Sequence, residues 1–303
     1  MIKYKALRGK ITVRLAVKVL ITLALFSSGL WSANGVSANH PVYVEGNCLN
    51  PPAGNPPAPP APGTCGDYDG DGLIGMAEDN DGDRVFGTIN GALANATGAN
   101  QNGHVVIVTS GVFAEVVRVT AANGNVTLEA APGVDANIDA VLQGDTGMPG
   151  NAGRQNAPGI VVSAPKDRFV TIRNITSRNW TDGIRVIGDS SVLIDNCRIE
   201  NNVNFGVSVQ DNARVQINNT TVAATGYRVA GAIDFPRNNT PNPGAGIDFG
   251  SDSSGLVSQS SVTGSFGDGI NVKNRRSASN PNVDVKDSYF FNNNRGAKGD
   301  KDF

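Results

Sequence analysis

Between Gly159 and Asn294 one short motif returns at a nearly fixed interval. It reads Gly-aliphatic-x-aliphatic or aromatic. The copies are Gly159-Ile160-Val161-Val162, Gly183-Ile184-Arg185-Val186, Gly206-Val207-Ser208-Val209, Gly246-Ile247-Asp248-Phe249 and Gly269-Ile270-Asn271-Val272. The steps between glycines are 24, 23, 40 and 23 residues, so the third is one ordinary step carrying an insertion of 17. A second motif keeps phase with the first: Val170-Thr171-Ile172-Arg173-Asn174, Val192-Leu193-Ile194-Asp195-Asn196, Val215-Gln216-Ile217-Asn218-Asn219 and Val283-Asp284-Val285-Lys286-Asp287, with a weaker copy around Val257-Ser258-Gln259. Apolar residues alternate within each run, and Gly, Asn, Asp and Ser punctuate the gaps. That is strand chemistry with turns; a helix needs apolar residues every three to four positions.

A strand unit repeating in the twenties predicts a solenoid. One unit cannot bury its own apolar face, so stability comes from stacking each on the next. Stacking turns equivalent positions into columns. One column reads Asn174, Asn196, Asn219, Gln259, Asp287. Polar side chains repeated at one inward turn can hydrogen-bond the laps above and below, satisfying backbone groups otherwise buried unpaired. The next column, Ile175, Cys197, Thr220, Ser260, Ser288, is mostly small and suits a tight corner. Cys197 therefore reads as a buried structural residue and not a nucleophile.

On the Gly-Ile-x-Val strand, the lap length and the asparagine column, residues from about Val85 to Phe303 resemble the pectin-lyase-like right-handed parallel β-helix superfamily. The resemblance implies an all-β, right-handed parallel β-helix of about 23 residues per coil and seven to eight coils. It leaves activity open, because the superfamily includes lyases, hydrolases, esterases, adhesins and non-catalytic proteins.

Ahead of the repeats the chain changes character. Residues 1–38 have the form of a secretory signal peptide: six basic residues from Lys3 to Lys18, an apolar run from Val19 to Leu30, and the small-residue site Val36-Ser37-Ala38. The alternative, a membrane anchor, needs a longer apolar run. No second hydrophobic span follows, so the expected product is secreted, extracellular or held at the cell surface. Without the leader, 19 Lys and Arg remain against 27 Asp and Glu, a net charge near −8. Such a balance argues against nucleic acid as a partner, and against tight binding of pectin- or alginate-like polyanions unless calcium bridges the charges.

Residues 39–66 form a Pro-rich linker with few strand or helix signals. Export allows a disulfide between Cys48 and Cys65 that would close it. Next comes the most specific short motif, residues 67–84, opening with a twelve-residue EF-hand-like loop from Asp67 to Glu78. Asp67, Asp69 and Asp71 stand at positions 1, 3 and 5, Gly72 at the sharp turn, Leu73 at the backbone-carbonyl position and Glu78 at the bidentate position. A hard cation such as Ca2+ needs this many oxygens. The loop resembles those of dockerins and thrombospondin-type repeats, although Cys65 and the prolines leave no room for an entering helix. Asp79, Asp81 and Asp83 follow at once, and could share the ion or hold a weaker second one.

Residues 85–303 form the solenoid. Its first part, from Phe86 to Ala94, predicts a short helix capped by Thr88 that lays Ile89, Ala92 and Leu93 over the open end. The insertion, Gly226 to Ala245, should project over one face; long loops of this kind often carry function, though a neutral excursion fits as well.

In β-helix enzymes of this superfamily the site lies outside one sheet, in a groove walled by loops; that is what the resemblance implies. The outward positions of the Gly-Ile-x-Val strands then include Arg185, Asp248 and Lys273, with Asp182 and Asp268 preceding their glycines. Arg185, Asp248, Asp268 and Lys273 are the candidate catalytic set, for a lyase using a base with uronate neutralisation or for a hydrolase using paired carboxylates that could include Asp182. Against catalysis, the Gly-His-Gly of polygalacturonases, the paired motifs of pectinesterases and the Arg-x-Pro-x-x-Arg of pectate lyases are absent. Two histidines, His40 and His104, make a Ser-His-Asp triad or a histidine zinc site a poor fit. Two functions follow: a secreted, calcium-stabilised, non-catalytic protein that binds a polysaccharide or cell-surface glycan, or a polysaccharide lyase or hydrolase.

Overall fold

The computed structural model describes residues 41–46, 84–96, 102–140, 157–226, 244–250, 252–273 and 282–293. The leader, the calcium-loop residues Asp67 to Asp83, Cys48 and Cys65, and most of the insertion lie outside them. Among the described residues the strands form three parallel sheets of nine, seven and six strands, here sheets A, B and C. One lap runs through Phe169–Arg173 in sheet A, Ile175–Arg178 in sheet B and Asp182–Val186 in sheet C. The next runs through Ser191–Asp195, Arg198–Glu200 and Phe205–Val209. Six such laps and two strands of a seventh are present among the described residues, a parallel β-helix.

The repeat motif aligns as its spacing requires. Ile160, Ile184, Val207, Ile247 and Ile270 are direct partners on successive strands of sheet C. Ile172, Ile194, Ile217, Val257 and Val285 do the same in sheet A. Apart from Ile270 and Val285, these side chains are buried, and each contributes about 1.5–3 kcal/mol through removal from water. The packing also adjusts locally. Gly255 occupies a valine position of sheet A, and the Phe249 ring fills the space a Cβ there would need.

The repeated glycine is explained by the corner between sheets B and C. A Cβ on Gly183 would collide with Ile199, on Gly206 with Val222, and on Gly246 with Val262. The side of the backbone that would carry the side chain faces the tube interior, and the sheet B aliphatics already occupy it. At Gly159 the occupant is Trp180, whose Nε1–H donates to the Ile138 carbonyl at 2.9 Å.

The other corners use polar residues with left-handed backbone. Asn174, Asn196, Asn219, Gln259 and Asp287 all have φ between 46° and 59°, bending the chain from sheet A into sheet B. Asn196 Nδ2 donates to Asn174 Oδ1 at 2.8 Å, and Asn219 Nδ2 to Asn196 Oδ1 at 3.0 Å. The ladder exists, but its side chains point outward and are partly exposed, which corrects the inward placement expected from the sequence. The interior work falls to the following column. Thr220 Oγ1 accepts from the Cys197 N–H, Ser260 Oγ from the Thr220 N–H, and Ser288 Oγ from the Ser260 N–H, at 3.1–3.3 Å. Each hydroxyl donates to the carbonyl two residues earlier, at 2.7–2.8 Å. Cys197 sits in this column, buried, and burial pushes its thiol up to about 12, so it stays protonated and structural. Asn179, Asn201, Ala224, Gly264 and Asn292 form a second left-handed column at the corner after sheet B.

The start of the solenoid differs from the sequence reading. Val42–Val44 is a strand of sheet A, with Val44 fully buried, lying between Val85–Phe86 and Asn102–Ile107. The β-helix thus begins inside the segment assigned as linker. Three alternating residues, too few to stand out beside the prolines, become a strand because two neighbours supply their hydrogen bonds. The expected helix is present as α1 (Ile89–Asn95), with Thr88 as its cap and Ile89, Ala92 and Leu93 buried. Seven residues do not hold a helix alone. Glu115, from the first lap, accepts the Ile89 and Asn90 N–H groups at 2.7 and 3.1 Å and pins its N-terminus.

With Val222 already in the space a side chain would take, Gly206→Ala should destabilise the protein by about 2 kcal/mol through overpacking. Combined with Val222→Ala, which empties the contested space, it should cost less than the two single changes added together. Thermal denaturation of the three variants checks this; strict additivity would mean that the glycine serves another purpose.

Candidate functional site

The outward face of sheet C holds the charged residues singled out from the sequence. Arg185, Ser208, Asp248 and Asn271 are direct partners on four successive strands, so each stands about 4.8 Å from the next. Asp182 joins the same face because Gly183 takes the inward place, breaking the strand's alternation. The face divides into pairs. Arg185 Nε donates to Asp182 Oδ2 at 2.7 Å. Lys273 Nζ lies 3.0 Å from both Asp248 oxygens, and Asn271 Nδ2 donates to Asp248 Oδ1 at 2.8 Å. Between the pairs, Gln210 Nε2 donates to Ser208 Oγ at 2.9 Å. The Lys273 ammonium also stands 5.2 Å from the centre of the Phe205 ring, a cation–π distance.

These groups are buried to a degree unusual for an outer sheet face: Asp182 and Ser208 are 0% exposed and Asp248 2%. Burial pushes the Asp182 carboxyl above the ordinary carboxylate range. Arg185 and the Phe205 N–H pull it back, and the Asp248 charge adds to the rise. Asp182 Oδ1 is buried without a hydrogen-bond partner among the described residues.

The expected set gathers only in part. Arg185, Asp248 and Lys273 share the face, but each cation is held by its own carboxylate. Asp268 lies one strand further on, exposed and in no ion pair among the described residues. Asp182 replaces it as the carboxyl that the face encloses. Asp182 and Asp268 both precede a glycine at this corner, and the shielding of each depends on what surrounds its own lap.

Comparison with known proteins supports the architecture. Residues 158–300 match the family model described as a right handed beta helix region. This segment is a right-handed β-helix. The solved structures include a pectin methylesterase from carrot, 14% identical, with 72% of this chain and 84% of that one covered and a TM-score of 0.35. At that score the likeness carries no argument about site or activity. No curated protein matches the chain.

Within this right-handed β-helix, a raised Asp182 pKa has a defined linkage sign. The folded state binds the proton more tightly than the unfolded chain, whose value is near 3.8. The contribution is therefore fully present below about pH 3.8 and is lost as pH rises towards the folded value. Asp182→Asn removes it. The melting temperature of the parent should fall relative to the variant as pH increases from below 3.8 towards neutrality; a difference that moved the opposite way would show that Arg185 dominates over burial.

Proposed function

We propose that this is an exported, calcium-stabilised β-helix protein that binds a polysaccharide or cell-surface glycan on the outer face of sheet C and does not cleave it. The carrying observation is the pairing on that face. Arg185 is engaged by Asp182 and Lys273 by Asp248, so neither cation stands free as a base or as an anion clamp. What remains within reach of a ligand are the part-exposed Arg185, Gln210, Asn271 and Lys273 side chains beside the Phe205 ring, held in place by the buried groups beneath and suited to hydrogen-bonding sugar hydroxyls. Export rests on the leader-like residues 1–38, and calcium on the Asp67 to Glu78 motif.

One observation favours a second reading, a glycoside hydrolase or lyase. Asp182 is a buried carboxyl with one oxygen unpartnered among the described residues and a raised pKa, near the charge of Asp248, which are attributes of a general acid. Incubation with a panel of uronate and neutral polysaccharides separates the two. Binding without new reducing ends or unsaturated ends is the expected result. Product formation that Asp182→Asn abolishes would instead make the protein an enzyme.

The calcium proposal has its own test. Chelator should lower the melting temperature and added Ca2+ restore it, with Glu78→Gln weakening the response about tenfold or more in half-saturating Ca2+. No binding heat and an unchanged melting temperature would refute calcium binding.

A further inference from the structure

The outer face of sheet A carries three rows of side chains, and they differ in what is left unpaired. The row at the strands' C-terminal ends is internally paired from Glu129 to Ser258. His104, from the middle row, reaches Glu129 Oε1 at 2.8 Å. Arg173 Nε donates to Asp195 Oδ2 at 3.1 Å, Asn218 Nδ2 to Asp195 Oδ1 at 2.8 Å, and Ser258 Oγ to Asn218 Oδ1 at 3.1 Å. That chain of contacts crosses the laps and satisfies itself.

The row at the strands' N-terminal ends is not saturated. Phe169, Ser191, Arg214, Ser254 and Asn282 are direct partners on five successive strands, a track about 19 Å long. They line an open groove of about 330 Å3, with Gln216 beside Arg214. The Phe169 ring is 44% exposed at one end. Its backbone is fixed by donation to Asn125 Oδ1 at 2.8 Å. Among the described residues the Arg214 guanidinium makes no ion pair or hydrogen bond. The track thus offers an aromatic face, a fork of five N–H donors, two hydroxyls and two amides, in a line.

We propose that this track is a second binding site, on a different sheet from the one above, and that it takes a neutral oligosaccharide lying parallel to the solenoid axis. Sugar rings present an apolar face to an aromatic ring and hydroxyls to amides, hydroxyls and guanidinium groups. The line of donors requires an extended ligand and not a monosaccharide. The neutral choice follows from charge. Arg214 stands in the track and Lys166 and Arg168 precede its Phe169 end, while Asp167, Asp189, Asp211 and Asp252 sit in the turns leading into it and Asp284 lies in the adjoining row two strands from Gln216. With a chain near −8 after loss of the leader, a polyanion meets more repulsion than attraction.

Titration calorimetry on the full chain tests this with short cello-, xylo- and manno-oligosaccharides and, as the anionic arm, oligogalacturonate. At least one neutral ligand should bind with little dependence on salt. Phe169→Ala and Arg214→Gln should each weaken it about tenfold, with melting temperatures unchanged. Binding that survives both substitutions, that is confined to oligogalacturonate, or that is absent for every neutral probe overturns the inference. So does loss of neutral-ligand binding in Lys273→Gln with Phe169→Ala unaffected, which would place the ligand on sheet C. Failure of the sheet C reading leaves the sheet A site standing.

Discussion

Every strand here can satisfy its backbone only from the laps before and after it. From Asn102 onward no described strand pairs with its neighbour in sequence; the partner is about one turn of the solenoid away. An unpaired buried N–H or C=O costs as much as a lost hydrogen bond, so the register between laps must hold along the whole length. The side chains follow. Once one isoleucine points inward, the residues one lap on must be apolar, the corners must bend at the same places, and the outward rows must align. The columns of this protein are consequences of that ladder and not independent choices.

Corners are where the ladder is hardest to maintain, and three solutions appear. Entry into sheet C uses glycine because a neighbouring sheet occupies the space a side chain would take. Exit from sheet A uses left-handed Asn, Gln and Asp, whose short polar side chains tolerate that backbone and bond to their counterparts. Just behind them, hydroxyls mediate between the backbone of one lap and the next. Trp180 shows the tolerance of the scheme. It fills a corner where later laps place Asn202, Thr225 and Ser265, and Gly159 and the small Ser177 make room for it.

Much of this was legible in the sequence. The period, the strand motifs, the asparagine column and the capping helix all follow from local pattern, because one lap's constraints repeat in the next. Other features were hidden. Val42–Val44 is too short to register as a strand without the neighbours that pair with it. The second left-handed column is blurred by Ala224 and Gly264 standing among asparagines. The outward direction of the first column depends on the bend itself, which residue type does not reveal. On sheet C the sequence placed Arg185, Asp248 and Lys273 on one face but could not say that Asp182 and Asp248 would each take one cation. Pairing depends on rotamers and burial, which period does not encode. Arg214, without an ion pair among the described residues and two strands from the exposed Phe169, is invisible for the same reason.

The functional proposals stand on the claim that residues one lap apart are held face to face, and a crosslink reads that directly. Thr221 and Ser261 are partners on adjacent strands of sheet B, 40 residues apart in sequence, with their hydroxyl oxygens 3.4 Å from each other. Thr263 lies two residues out of register with Thr221. Under mild oxidation the Thr221→Cys/Ser261→Cys protein should form the linked peptide in high yield, and Thr221→Cys/Thr263→Cys should form little, since a disulfide needs Cα atoms within about 7 Å and converging side chains. Equal yields from the two pairs, or none from the first, would contradict the stacked laps on which the account rests.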